Sequence, residues 1–318
     1  MKIVITGGCG FIGSSLIRFL NSKKIYDIDI CEPNGAYQSQ WRNLIDLRYN
    51  KIISPAALLN VVDYEYNVII HLGANSDTKQ KPSPRNWYNN IDFSKSLIDK
   101  VSLSSDDNKP LFIFASSAAV YGKETINFEE SIQVKPTNFY GFTKLDVEKY
   151  ILGLIDNKNF YSLRFFNVYG AREFHKEQNE TCSPIFKWLN QKESKINLFQ
   201  SENPNFKNSQ MKRDFIYVYD VCDIIYHCMN NAQSVGGIYN VGTGEAKSWE
   251  NVAKAIFDAK GISGTVSFNL MPHSMRDHYQ YYTCSNNNCL RTILGYKKNF
   301  TTLEEGIKLT YEEMNSLR

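Results

Sequence analysis

The apolar positions of this chain follow two alternating patterns. Short β-branched or aromatic runs recur at Ile3-Val4-Ile5, at Ile28, Ile30 and Cys31, and over Val68 to Leu72, Leu111 to Ala115 and Tyr161 to Phe166. Such runs have the composition of strands buried inside a parallel sheet. Between them, apolar residues fall at helical spacing over Ser14 to Leu20, Pro55 to Val62, Trp87 to Val101 and Asn138 to Ile155. Ser54 followed by Pro55 is a helix start, a hydroxyl cap with proline in the first position. Leu44 to Leu47 reads as a short third strand. Strands and helices that alternate every ~20 to 30 residues predict βαβ units with right-handed crossovers. The expected fold class is therefore α/β, with a doubly wound parallel-sheet Rossmann domain.

Past Asn167 the pattern changes. Gly170 to Ser183 is polar and irregular, Ile185 to Gln191 is helical, and Pro204 to Gln210 is a polar loop. Short strands at Asp214 to Val218 and Ile238 to Val241 flank a helix over Tyr219 to Asn230. Further helices are predicted over Trp249 to Lys260 and Leu303 to Met314. This part reads as a smaller mixed α/β substrate domain, interleaved with the first and without a clean linker. The expected boundaries are 1–168 with about 213–243 for dinucleotide binding, and 169–212 with 244–318 for substrate.

The densest chemistry lies in Met1 to Ser14, MKIVITGGCGFIGS. Gly7, Gly10 and Gly13 sit between the first strand and the first helix. A glycine pattern alone also fits a plain turn, and the flanking strand and helix decide for a phosphate cradle. There glycines permit the turn, the approach of a pyrophosphate and close helix packing, while the helix N-terminus faces the anion. Glu32 ends the second strand about twenty residues on, where a carboxylate grips an adenosine ribose diol.

Composition adds limits. With 318 residues, 42% hydrophobic and 22% charged, the chain can bury a large core without staples. A formal charge of +3 with dispersed Lys and Arg gives no nucleic-acid surface. No apolar stretch is long enough to span a bilayer, and no secretory leader is expected because Lys2 already opens a strand. The seven cysteines are odd in number and scattered, so neither a disulfide framework nor a metal site is expected, and the expected compartment is the cytosol. Cys9 reads as a space-filler and His71 as a satisfied strand-end residue. Asp106-Asp107 and Glu129-Glu130 read as solvated turns.

Tyr140 and Lys144 form a Tyr-x-x-x-Lys pair on one face of a predicted helix. An ammonium beside a phenol favours phenolate and makes the tyrosine a usable base. Taken alone, the pair fits a surface helix. Beside a nucleotide turn, and with Ser117 at the end of a buried strand, it becomes a Ser–Tyr–Lys set for moving hydride to and from an alcohol. Ser116 is expected to pack or cap beside it.

These segments resemble extended short-chain dehydrogenase/reductases of the NAD-dependent epimerase/dehydratase group. The residues that carry the resemblance are Thr6 to Gly13, His71 to Ala74, Ser116 to Gly122, Tyr140 to Lys144, Arg164 to Gly170 and Arg213 to Val218. Ala171 to Lys176, Lys212 to Phe215 and Tyr239 to Gly244 are similar to the ADP-L-glycero-D-manno-heptose 6-epimerases of lipopolysaccharide synthesis. The resemblance implies a tightly bound NAD or NADP, with contacts from Gly7, Gly10, Phe11, Ile12, Gly13, Glu32, Leu72, Gly73, Ala74, Asn89, Tyr140 and Lys144. It implies Ser117, Tyr140, Lys144 and Lys176 as catalytic residues, Lys176 serving as a second acid/base. Substrate contacts are implied for Ser76, Ser117, Asn167, His175, Arg213 and Tyr279, together with a nucleotide-sugar substrate, carbohydrate metabolism and a homo-oligomer. The implied reaction inverts C6 through a 6-ketone.

Three features depart from that pattern. Gln200 to Gln210 is longer than expected, and His278 stands where an arginine is expected, with Arg276 nearby. The 6-epimerases tend to use NADP, which Glu32 opposes and Arg42, Arg48 or Lys51 would offset. The alternatives are a C4 epimerase of a UDP- or GDP-sugar, a 4,6-dehydratase disfavoured by Ala118-Ala119, and a non-catalytic scaffold.

Overall fold

The computed structural model describes the chain except residues 34, 36–39, 79–80, 105–108, 124–127, 132, 155–157, 180–181, 202, 204–205, 209–210, 232–234, 273–275, 277–278 and 318, and except the side chains of 63 and 177–179. The apolar runs become seven parallel strands: β1 (Ile3–Thr6), β2 (Ile28–Cys31), β3 (Ile52–Ile53), β4 (Val68–His71), β5 (Leu111–Ser117), β6 (Phe160–Phe165) and, after a long excursion, β10 (Gly237–Val241). Their order across the sheet is β10-β6-β5-β4-β1-β2-β3, with every pair parallel. The order reverses at β1, so a crevice opens beyond the carboxyl ends of β1 and β4.

Alternation along the strands assigns the two faces. Ile3, Ile5, Ile70 and Ile113 pack against Leu16, Ile17, Val221 and Ile224, from the helices Phe11–Ser22 and Val218–Asn230. Val4, Ile69, Phe112 and Phe114 pack on the other face against Leu97, Ile98, Val147 and Ile151, from the helices Phe93–Ser102 and Phe139–Leu152. Each such aliphatic side chain, fully buried, contributes about 1.5–3 kcal/mol.

Several expectations need correction. Leu44 to Leu47 is not a strand. Trp41–Leu44 forms a 3-10 turn with Asn43 and Leu44 buried, and the third strand is Ile52–Ile53, paired with Ile30 and Cys31. The run over Trp87 to Val101 begins earlier: Pro84–Trp87 is capped by Ser83, Tyr88–Asp92 winds as a π-helix, and Phe93–Ser102 is regular. Glu129 and Glu130 are half-buried and bonded, not freely solvated. Glu130 accepts from the Asn240 backbone N–H at 2.7 Å and Glu129 from Asn286 Nδ2 at 3.1 Å. Asp106-Asp107 and His278 lie outside the described residues, as does part of Gln200 to Gln210.

Two smaller sheets carry strands that local pattern does not show: β7 (Asn167–Tyr169) and β11 (Ala246–Ser248) flank β9 (Lys212–Tyr217), and β8 (Lys195–Phe199) pairs with β12 (Thr265–Asn269). β9 is buried and matches the strand expected at Asp214 to Val218, whereas β7, β8, β11 and β12 bury few residues of their own and depend on a partner distant in sequence. Among the described residues, no helix is long and apolar enough to cross a membrane.

One buried ion pair ties the helix Phe139–Leu152 to the sheet. Glu148 accepts from Arg164 Nη2 at 2.7 Å and from Ser116 Oγ at 2.5 Å, with both charged side chains almost fully buried. Arg164 Nη1 also donates to Tyr121 Oη at 3.0 Å. Arg164→Ala strands a buried carboxylate and is expected to destabilise the fold by about 3–5 kcal/mol. A urea melt checks this, and an unchanged midpoint would show that the pair is structurally idle.

Candidate active site

The glycine turn follows from a lack of space. Gly7 has φ +71°, and a Cβ there would sit 2.7 Å from the Gly73 backbone nitrogen. A Cβ on Gly13 would lie 2.2 Å from the Gly7 carbonyl oxygen. The turn, the first helix and the loop after β4 are therefore in backbone contact. Thr6 Oγ1 closes the arrangement, accepting from Gly73 N–H at 3.0 Å and bonding His71 Nδ1 at 2.6 Å. His71 Nε2 bonds Ser94 Oγ at 2.8 Å, so both ring nitrogens are used, and burial pushes its pKa down to about 3.

The helix Phe11–Ser22 starts at Gly10 with no side-chain cap and no acidic residue in its first turn. Phe11 and Ile12 thus open a helix whose N-terminal dipole is left for an external anion. Glu32 is buried at the end of β2 and accepts from the Cys9 backbone N–H at 2.8 Å. Burial raises its pKa to about 6, partly offset by that bond, so it is ionised at neutral pH. Cys9 fills space under the turn, its thiol held well above its ordinary pKa by burial.

Against the end of β5, Asn138 caps the helix Phe139–Leu152 by accepting from Gly141 N–H at 2.8 Å. A Cβ on Gly141 would meet the Ala119 carbonyl at 2.6 Å. That closeness brings Tyr140 against the end of β5, where it shares a hydrogen bond with Ser117. Ser117 Oγ also accepts from Ala119 N–H at 3.1 Å, while Ser116 points to Glu148 as a packing partner. Burial pushes Tyr140 up to about 12, with the Ser117 bond pulling it down. One turn on, Lys144 is buried with its ammonium 4.6 Å from the Phe114 ring centroid and 5.7 Å from that of Tyr140. Burial pushes it down to about 7, opposed by Glu148. Among the described residues it has no hydrogen-bond partner. A buried ammonium without an acceptor beside a side-chain-free phosphate cradle fits the hydroxyls and diphosphate of a dinucleotide.

The remaining candidates divide into three groups. Leu72, Gly73, Ala74 and Asn89 are half-buried around the loop after β4, and Ser76 is exposed. That loop is tied down by Asn90, which pattern did not single out: Asn90 donates to the Asn75 carbonyl at 3.0 Å and to Thr143 Oγ1 at 3.2 Å. Lys176 lies over the start of the first helix, its ammonium 5.2 Å from the Phe11 ring centroid and 3.2 Å from Glu173 Oε2. His175 beside it bonds Asn43 at 3.0 Å. Arg213 is buried, stacked 4.9 Å from the Tyr279 ring centroid, and burial lowers its pKa. No carboxylate pairs with it among the described residues, which leaves a cation for a phosphate. Tyr279 Oη accepts from Trp249 Nε1 at 3.2 Å, and Asn167 Oδ1 accepts from Thr283 Oγ1 at 3.4 Å. Arg276 Nε instead bonds the Met271 carbonyl at 3.0 Å.

Gly13→Ala forces the Gly7 carbonyl and the first helix apart. The purified variant is expected to lose its dinucleotide, read as the absence of nicotinamide absorbance in a denatured extract, while far-ultraviolet circular dichroism stays near native. Full retention of dinucleotide would remove the turn from the site.

Comparison with known proteins meets this geometry. The model of a family described as NAD dependent epimerase/dehydratase matches residues 3–242. ADP-L-glycero-D-manno-heptose-6-epimerase of Nitratidesulfovibrio vulgaris (strain DP4) is 32% identical over 316 residues, covering 96% of this chain and 95% of the relative. The enzyme of that name from Fusobacterium nucleatum is 32% identical over 327 residues, covering 96% of each. The crystal structure of the Helicobacter pylori ADP-L-glycero-D-manno-heptose-6-epimerase superposes with a TM-score of 0.80 at 26% identity, covering 99% of this chain and 96% of that one. A matched family model over most of the chain, and a nucleotide turn beside a Ser–Tyr–Lys set, place this protein in the NAD dependent epimerase/dehydratase family.

Proposed function

We propose that the chain is a nucleotide-sugar epimerase that inverts C6 of ADP-glycero-manno-heptose through a 6-ketone. The observation that carries the reaction type is the contact of Ser117, Tyr140 and Lys144 at the carboxyl end of β5, two strands across the same sheet from the end of β1 and its glycine turn. The sugar is supported by the two relatives that bear the heptose-epimerase name at 32% identity, and by Lys176 at the start of the first helix. In this reading residues 1–168 and about 213–243 carry the dinucleotide, and 169–212 with 244–318 carry the sugar.

The roles follow from the environments. The turn, Glu32 and Lys144 hold the dinucleotide, whose nicotinamide, when bound, takes hydride from C6 and gives it back. Ser117 orients the C6 oxygen, and Tyr140 takes or returns its proton, aided by the positive charge of Lys144. The ketone turns over in the pocket, so that hydride returns to its other face while Lys176 protonates the oxygen in the turned orientation, and inversion needs no movement of the cofactor. Arg213 binds the diphosphate, and Asn167, His175, Ser76 and Tyr279 contact the rest of the substrate.

The dinucleotide is NAD in this reading. Glu32 is a buried carboxylate that repels a 2′-phosphate, and residues 33–40 contain no Lys or Arg. Lys51 lies near Asp29 and Glu65, Arg48 stacks on Tyr26 and Arg42 on Trp41. Glu32→Ala is expected to move the NADH-to-NADPH affinity ratio of stripped protein at least about tenfold toward NADPH. Fluorescence titration reads this, and an unchanged ratio would relieve Glu32 of that role.

The test is proton NMR of the purified protein with ADP-D-glycero-D-manno-heptose and no added cofactor. Appearance of the L-glycero epimer is expected, and Tyr140→Phe is expected to slow it about 10²–10⁴-fold while retaining the dinucleotide. An unchanged spectrum from protein that still carries dinucleotide would discard the sugar, and inversion of a UDP- or GDP-sugar at C4 would replace it.

A further inference from the structure

Asn43, on the 3-10 turn Trp41–Leu44 that ends where a strand was expected to begin, is buried and its amide nitrogen faces three polar atoms. Its Nδ2 lies 3.0 Å from the Cys9 carbonyl oxygen, 3.3 Å from that of Arg172 and 3.0 Å from His175 Nδ1. Two of these are peptide carbonyls, which only accept, so the atom facing them is the amide nitrogen and not its oxygen. The amide has two N–H groups, and giving them to the two partners at 3.0 Å, the Cys9 carbonyl and His175 Nδ1, requires a lone pair on Nδ1. The ring proton is therefore on Nε2.

Asn43 is itself held rigidly. Arg172, fully buried, donates from Nη1 to the Asn43 carbonyl at 2.8 Å and from Nη2 to Asp46 Oδ2 at 2.7 Å, and its Nε reaches Glu313 Oε1 at 3.1 Å. Side chain and backbone of Asn43 and Arg172 thus bond reciprocally. Burial first, and then the charge of Lys176, keep His175 neutral. Among the described residues its Nε2–H has no partner.

We propose that Asn43 is a positioning residue that joins the two walls of the site: it pins the dinucleotide turn through the Cys9 carbonyl and locks His175 as the Nε2–H tautomer beside Lys176. A ring fixed this way offers one neutral donor to a hydroxyl or phosphate oxygen and adds no second cation next to Lys176. What that donor serves rests on the epimerase reading above, whereas the lock itself is tested without a sugar.

The experiment is a long-range ¹H–¹⁵N spectrum of ¹⁵N-labelled protein with its dinucleotide bound, in which five histidines give signals. His175 is assigned by its disappearance in His175→Asn. The native protein at pH 7 is expected to show His175 with a bare Nδ1 and a protonated Nε2. Asn43→Ala is expected to give averaged shifts of mixed tautomers and about tenfold weaker dinucleotide binding. A native His175 protonated at Nδ1 would overturn the proposal even if the variant failed to fold, and so would an Asn43→Ala spectrum identical to native. Native spectra as expected, with no inversion of any heptose, would leave the lock intact and remove only the epimerase reading.

Discussion

Backbone contact at Gly7, Gly13 and Gly73 is the constraint on which the rest of the molecule depends. Side chains at the first two positions would occupy space already filled by the Gly73 nitrogen and the Gly7 carbonyl. Because that space is filled by main chain, the first helix starts directly off β1 and its uncapped N-terminus faces the crevice at the point where strand order reverses. The loop after β4 is pressed onto the same point, with Thr6 and His71 bracing it. In the proposed function, phosphate binding and ribose binding at Glu32 are both measured from this contact.

A second close approach sets the chemistry. Gly141 against Ala119 brings the helix Phe139–Leu152 onto β5, and that one helix then delivers Tyr140 to Ser117, buries Lys144 under Tyr140, and anchors itself through Glu148 and Arg164. The cost of burying an ammonium shows in Lys144, pushed down to about 7. Glu148, one turn away, opposes the shift. Structural and chemical demands thus meet on one face of one helix.

Much of this was legible in the sequence because it is local. The turn, Glu32, Ser117 and the Tyr140–Lys144 spacing lie within single elements whose periodicity is strong. What was not legible depends on residues far apart. β7 and β11 are each three residues long and exist through pairing with β9. Leu44 to Leu47 looked like a strand because its leucines are apolar, yet only Leu44 is buried, and Asn43 turns inward to bond Cys9 and His175. Glu129 and Glu130 looked solvated because their partners, Asn286 and Asn240, lie more than a hundred residues away. Asn90 was hidden for the same reason.

The central claim is that one enclosed set of groups oxidises and reduces the same carbon without exchange with solvent. Turnover of ADP-D-glycero-D-manno-heptose in deuterium oxide, followed by proton NMR of C6 in the epimer, tests it most directly. The account predicts full retention of the carbon-bound hydrogen at C6 in the inverted product. Deuterium at C6 of that product would contradict it, since inversion would then run through loss of a proton from carbon and not through transient oxidation.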